Sequence, residues 1–311
     1  MSFDAREEGT PVDVWRSDDR LTAAPPLDLD GVTRLVVVAA HPDDETLGAG
    51  GLIAGCAARG IDLTIVIVTD GGGSHPGDRT IADRRSREAV RAIATLATSV
   101  KLRLLGYPDG RTDVHRPTIR RAINRAIGDM TAGTRVAAPW RGDGHRDHRV
   151  VGEIVADLVP ADHLWEYPIW MWHWAEPAHP AVPWHRARRA SIDPAPKARA
   201  IAEYRTQTEG DEPQLLPSFL EHFRSDTELF FVAEAMPTSV DVAGSESVSG
   251  EHFDALYRRR DDPWRVETRW YEERKRALTL AALPHRSYER ALEVGCSIGV
   301  LTEGLAARTA N

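Results

Sequence analysis

Two short stretches of this 311-residue chain carry side chains that suit hydrolytic chemistry: His41-Pro42-Asp43-Asp44 and His145-Arg146-Asp147-His148. Each has an ordinary reading by itself. A proline at the first helical position, followed by acids in the first turn, begins many helices because the acids complement the helix dipole. A histidine-rich loop is commonly a solvated loop. The helix-start reading leaves His41 and the two adjacent carboxylates unexplained. If the two stretches meet, two carboxylates and two or three imidazoles share one place. Such a cluster repels itself and loses hydration unless a cation sits inside it.

Three nitrogen or oxygen ligands with one open position make a catalytic zinc site. The thiolate-free donor set suits zinc, with iron(II) as a substitute. Bound zinc brings the pKa of its water from about 15.7 to about 7, so hydroxide is available at neutral pH. A spare carboxylate can take the water's proton, and a spare histidine can stabilise an oxyanion or protonate a leaving amine. Spacing alone leaves open which carboxylate binds metal and which is the base.

The surrounding sequence predicts how the stretches come together. Leu35 to Ala40 is a continuous, valine-rich apolar run, the mark of a strand buried on both faces, and His41 closes it. Thr46 to Arg59 reads as a helix and Leu63 to Val68 as a second strand. A helix over Asp83 to Thr98, a strand over Lys101 to Leu105 and a helix from Thr118 to Met130 follow. The strand Arg135 to Ala138 leads into the second stretch, then come a helix from Arg149 to Leu158 and a strand near His163 to Tyr167. This β-α rhythm predicts an α/β fold with a parallel sheet covered by helices on both faces. Right-handed crossovers gather the loops after the strands on one sheet edge, where such folds bind ligands. A helix from Lys197 to Thr206 and a strand from Glu228 to Ala233 finish the domain. The aromatic run Trp165, Tyr167, Trp170, Trp172 and Trp174 alternates like a strand face, serving as core or as a stacking wall for a sugar or acyl chain.

Composition narrows the function classes. The 42% hydrophobic and 28% charged content is ordinary for a globular chain, and a net charge of −8 argues against general nucleic-acid binding. Two distant cysteines, Cys56 and Cys296, allow neither a disulfide framework nor a cysteine zinc site. Met1 to Arg20 lacks a signal pattern, and no apolar run approaches the roughly 20 residues of a membrane helix. The expected address is cytoplasmic, without nucleic-acid or membrane partners.

The two stretches, with Ala40 and Glu45 flanking the first and Gly144 the second, resemble the PIG-L/LmbE family of metal-dependent N-acetylglucosaminyl deacetylases. The resemblance runs from about Arg34 to Glu234 and implies a Rossmann-like fold. It implies that His41, Asp44 and His148 bind Zn2+ (or Fe2+), that Asp43 is the general base, and that His145 is the oxyanion stabiliser or general acid. Asp147 would hold the His145 imidazole in orientation. Arg85, in a helix with Glu88 three residues on, looks like a substrate contact, as does Asp109 in Leu105-Gly106-Tyr107-Pro108-Asp109-Gly110; Asp-Gly is equally a plain turn signal. At Asp70-Gly71-Gly72-Gly73 many members carry glutamate where Gly72 stands, which implies a more open or differently read site. The implied substrate is an acylated amino sugar or glycosylated small molecule. An amidase acting on a larger amide and a non-catalytic sugar-binding module are the alternatives; intact Asp43 and His145 argue against the second.

Domain boundaries follow: an N-terminal extension over 1–33, the deacetylase domain over 34–236, a small, polar linker over 237–250 and a further segment over 251–311. In the last, a charged helical stretch from Glu251 to Leu283 precedes a strand-like run from Arg290. Glu293-Val294-Gly295-Cys296-Ser297-Ile298-Gly299 resembles the first motif of S-adenosylmethionine-dependent methyltransferases, and Phe253 to Tyr257 with Pro263-Trp264 resembles the lead-in helices of the nodulation type. Glu293, Gly295 and Gly299 would then be cofactor contacts. The sequence stops at Asn311, so this segment reads as an incomplete α/β fragment, with S-adenosylmethionine bound only in a complete, bifunctional parent protein.

Overall fold

The computed structural model describes residues 4, 6–210, 213–232, 262, 266–293 and 298–309. The chain divides into two units, Met1–Met236 and Pro237–Asn311. In the first, α1 (Val12–Arg16) and α2 (Asp19–Ala23) precede β1 (Arg34–Ala39), α3 (Asp44–Ala58), β2 (Asp62–Thr69), α4 (Ile81–Leu96) and β3 (Lys101–Tyr107). Next come α5 (Arg116–Ile127), β4 (Thr134–Pro139), α6 (Arg146–Ala156), β5 (Leu164–Tyr167) and α7 (Met171–Trp174). Then β6 (Ala187–Ser191), α8 (Pro194–Ile201), α9 (Arg205–Thr208), α10 (Pro217–Leu220) and β7 (Thr227–Val232) follow.

The strands form one sheet in the order β3-β2-β1-β4-β5-β7-β6. β1 to β5 are parallel, as the alternating pattern predicts. The remaining pair makes the sheet mixed, because β7 runs antiparallel to both β5 and β6.

Residues of β1 alternate between two cores, which is why its sequence is a continuous apolar run. Leu35, Val37 and Ala39 face a core shared with Leu52 and Ile53 of α3 and Ile93 of α4. Val36, Val38 and Ala40 face a second core with Ile119 and Ile123 of α5 and Val151 and Ile154 of α6. Helices on both faces therefore leave only the strand ends open. Between β1 and β4 the strand order reverses direction, and a crevice opens there at the carboxyl ends.

The aromatic run is not one strand face. Tyr167 ends β5, Pro168 follows, and Met171–Trp174 turns helical. Trp165, Tyr167 and Trp172 are buried in the core, and the Tyr167 hydroxyl donates to Val38 O at 2.7 Å. Gly48 makes room for that ring, since a Cβ there would lie inside it. Residues before β1 pack on the domain: Trp15 is buried edge-on against Trp172 at 4.8 Å, and Thr10 N donates to His173 O at 2.8 Å.

In the second unit, α11 (Trp270–Ala281) and α12 (Val300–Ala306) are the described helices. Residues 290–293 form no strand. Gly299 sits at φ +82° before α12, and Glu293 accepts a hydrogen bond from Thr302 Oγ1 at 2.5 Å. The 237–250 linker, Phe253 to Tyr257, Pro263-Trp264, Gly295 and Cys296 lie outside the described residues. No helix among the described residues is long and apolar enough to cross a membrane.

Candidate metal centre

The loops after the five parallel strands converge at the crevice. His41 follows β1, Gly73 follows β2, Asp109 follows β3, Asp143 to His145 follow β4, and Ile169 and Trp170 follow β5. His148 comes from the first turn of α6 and Asp44 from the first residue of α3.

Three ligand-type atoms lie closest together. Asp44 Oδ2 is 3.3 Å from His41 Nδ1 and 3.2 Å from His148 Nε2, and the two ring nitrogens are 3.3 Å apart. Metal–ligand bonds of about 2.0–2.1 Å in a tetrahedral arrangement put ligand atoms about 3.3–3.4 Å apart. The trio therefore fits a zinc-type ion with one position left for water. His145 also brings a ring nitrogen within 4.8 Å of those of His41 and His148.

Each imidazole of the trio is held from behind by carboxylates. His41 Nε2 is 3.1 Å from Asp109 Oδ1 and 3.4 Å from Asp147 Oδ2. His148 Nδ1 is 2.6 Å from Asp143 Oδ2. Such partners fix the ring and the tautomer of a metal-binding histidine. The charge balance points the same way. Burial opposes protonation of His148, yet Asp44 and Asp143 overcome it and raise its pKa to about 9. Burial also opposes protonation of His41, but Asp109, Asp147 and Asp44 hold its pKa well above the ordinary value. Burial would raise Asp44, yet His148 and His41 hold it well below the usual carboxylate range.

Asp43 stands apart from this trio. Its backbone adopts φ 131°, a strained value for a residue with a Cβ, and its N–H donates to Glu45 Oε2 at 3.2 Å. Glu45 is itself fully buried and accepts from Thr46 Oγ1 at 2.7 Å and from the Tyr204 hydroxyl. Burial pushes the Asp43 carboxyl up to about 7, against the pull of Arg85 and with the help of neighbouring Asp44.

Arg85, the expected substrate contact, lines the cleft and is also engaged by its neighbours. Its guanidinium is buried and donates to Asp43 Oδ2 at 2.8 Å, Pro42 O at 2.6 Å and Gly71 O at 3.0 Å. Arg85 therefore fixes Asp43, and Gly71, at φ +65°, leaves it room that a Cβ would occupy. Glu88 lies away from the cleft, capping Thr206 through its N–H at 3.0 Å and its hydroxyl at 2.6 Å. Asp109 borders the cleft and also takes the Gly73 N–H at 3.0 Å.

Asp147 requires a correction. Its carboxylate accepts from Gly110 N at 2.8 Å and Thr112 Oγ1 at 2.7 Å and faces His41; its contact with His145 is through its own backbone N–H, 3.3 Å from His145 Nδ1. Accepting that bond leaves the His145 proton on Nε2. Burial, then His148 and His41, lower the His145 pKa to about 3, so the ring is neutral. Sequence reasoning missed Asp143. It lies inside the second stretch, but nothing local marks it: besides His148, it accepts the N–H groups of Ile169, Trp170 and Met171 at 2.8–3.0 Å.

Comparison with known proteins gives a consistent picture. Residues 36–159 match the PIG-L family model, described as GlcNAc-PI de-N-acetylase, and residues 251–311 match that of nodulation protein S (NodS). A probable N-acetyl-alpha-D-glucosaminyl L-malate deacetylase 2 of Bacillus anthracis is 31% identical over 132 residues, 40% of this chain and 58% of that protein. A 1D-myo-inositol 2-acetamido-2-deoxy-alpha-D-glucopyranoside deacetylase of Rhodococcus erythropolis is 28% identical over 213 residues, 60% of this chain and 71% of that protein. The match thus spans little more than half the length of the Bacillus relative. A conserved protein of Thermus thermophilus superposes with a TM-score of 0.48 at 24% identity, covering 66% of this chain and 98% of that one. Residues 36–159 are therefore similar to the PIG-L family, and residues 251–311 to nodulation protein S.

Proposed function

We propose that the first unit is a metal-dependent hydrolase that removes an N-acyl group, acetyl in the simplest case, from an amino sugar or glycosylated small molecule. The observation that carries this reading is the trio of Asp44 Oδ2, His41 Nδ1 and His148 Nε2, 3.2–3.3 Å apart, beside a separately held carboxyl at Asp43. Zinc, or iron(II) in its place, would supply a Lewis acid and a water acidic enough to ionise near neutrality.

The chain's own residues divide the remaining work. Asp43, raised toward neutrality by burial and clamped by Arg85, takes the proton of the attacking water. Neutral His145 offers its Nε2–H to the oxygen on which charge develops, a role that fits its low pKa better than proton donation does. The proton held by Asp43 then passes to the leaving amine. The relatives named for acetylated glucosamine substrates support an amino sugar as the amine. In the second unit, the sequence stretch from Glu293 to Gly299 is the part that would meet S-adenosylmethionine, a reading supported by the NodS match.

The test is a screen of acylated amino sugars, aminoglycosides and glycopeptides for release of free amine by the zinc-loaded chain. Asp43→Asn should lower the rate by about 10²–10⁴-fold with metal still bound. A fully active Asp43→Asn protein overturns the mechanism.

A further inference from the structure

Asp43 and Asp44 are neighbours in sequence but serve different partners. Asp44 Oδ2 meets His41 and His148, while Asp43 Oδ2 meets Arg85. Asp43 takes φ 131°, which a residue with a Cβ keeps only where its surroundings hold it from several sides. Its carbonyl accepts from Thr46 N at 3.0 Å and Leu47 N at 2.8 Å, and its own N–H donates to Glu45 Oε2 at 3.2 Å. Glu45 can hold that N–H only if its own carboxyl is fixed. Its other oxygen, Oε1, takes the Thr46 hydroxyl at 2.7 Å and the Tyr204 hydroxyl, and all three side chains are buried.

Tyr204 comes from outside the motif. It follows α8, which packs on α3 and α4, and its carbonyl accepts the N–H groups of Gln207 and Thr208 at 2.9 and 3.1 Å. Two residues on, Thr206 donates to Glu88, which lies one turn beyond Arg85 on α4. A buried carboxyl that loses one of its donors has no water at hand to replace it. Resting on the hydrolase reading above, we propose that Tyr204 is a positioning residue for the base: through Glu45, its hydroxyl holds the Asp43 backbone in the conformation that presents the carboxyl to the attacking water. Tyr204 does not line the cleft, so its effect on the base runs through Glu45.

Two isosteric variants of the full-length chain test this. Tyr204→Phe keeps the ring and removes the hydroxyl, and Thr46→Val removes the other donor to Glu45 Oε1. With zinc bound, and on the acylated amino sugar that the native chain cleaves fastest, Tyr204→Phe should lower kcat about tenfold with KM and zinc content unchanged. Thr46→Val should act in the same direction. In a Glu45→Met background Tyr204→Phe should lower kcat no further, because the path to Asp43 is already broken. In the metal-free chain, exchange of the Asp43 amide hydrogen should be on the order of tenfold faster in Tyr204→Phe than in the native protein. Native kcat in both single variants, a change in KM alone, loss of zinc, unchanged Asp43 exchange, or losses that add to that of Glu45→Met overturn the role of Tyr204 and leave the hydrolase reading intact. A native chain that holds zinc but releases no amine overturns the hydrolase reading, and the role of Tyr204 with it.

Discussion

Asp143 and His148 share a 2.6 Å hydrogen bond between two fully buried side chains, and the same carboxylate gathers three backbone N–H groups from the loop after β5. One side chain therefore fixes both a candidate metal ligand and a wall of the cleft. Asp143→Asn leaves the volume unchanged but removes the charge behind the His148 imidazole. Zinc affinity, measured by competition with a chelator, should fall about 10- to 100-fold. Unchanged affinity would show that His148 needs no such support.

Arg85 is a positioning residue for Asp43. Arg85→Met should lower kcat by one to two orders of magnitude, about 10- to 100-fold, by letting the base drift from its place, with zinc content unaltered. If KM alone rose, Arg85 would be a substrate contact instead.

Gly48 faces the Tyr167 ring, which is pinned by its hydroxyl to Val38 O. Gly48→Ala forces α3 off β5 or the ring out of its place, and either costs about 1–3 kcal/mol by overpacking. The denaturant midpoint should drop accordingly. A midpoint raised by the better helix propensity of alanine would contradict this packing.

His222 donates through Nε2 to Thr10 O at 3.0 Å and stacks on Trp172, so it holds the residues ahead of β1. Burial lowers its pKa to about 4 in the folded chain. The unfolded chain, with a histidine pKa of about 6.5, binds this proton first as pH falls. Its contribution is thus fully present above about pH 6.5 and is lost between about pH 6.5 and 4. Allowing for partial exposure of the ring, the loss is on the order of 1–2 kcal/mol. Urea unfolding at pH 7.5 and 5 should show it, and His222→Gln should remove this share of the pH dependence.

The parallel half of the fold is legible in the sequence because both faces of β1 and β2 are buried, so their residues are apolar without alternation. β6 is not legible. Among the described residues, Ala187-Arg188-Arg189-Ala190-Ser191 pairs only with β7 within the regular ladders, and its two arginines stay half-buried. The tryptophan spacing misleads for a different reason: Trp170, Trp172 and Trp174 sit around a helical turn, where spacing by two carries no face.

At the site, motif spacing and family resemblance bring together His41, Asp43, Asp44, His145 and His148, and the structure places them around one crevice. What the spacing does not reveal is which carboxylate stands behind which imidazole. Asp147 reaches across to His41, and Asp143 supports His148 five residues on. Arg85 likewise reads as a substrate contact until Pro42 O and Gly71 O are seen to enclose it.

The most direct test of the metal centre is metal content measured alongside amine release on the same preparations. The native chain should hold about one zinc or iron per molecule, and His41→Ala and His148→Ala should lose both the metal and the activity, while Asp43→Asn keeps the metal and loses the activity. A native chain that releases amine at full rate after its metal has been stripped by chelator would contradict the account.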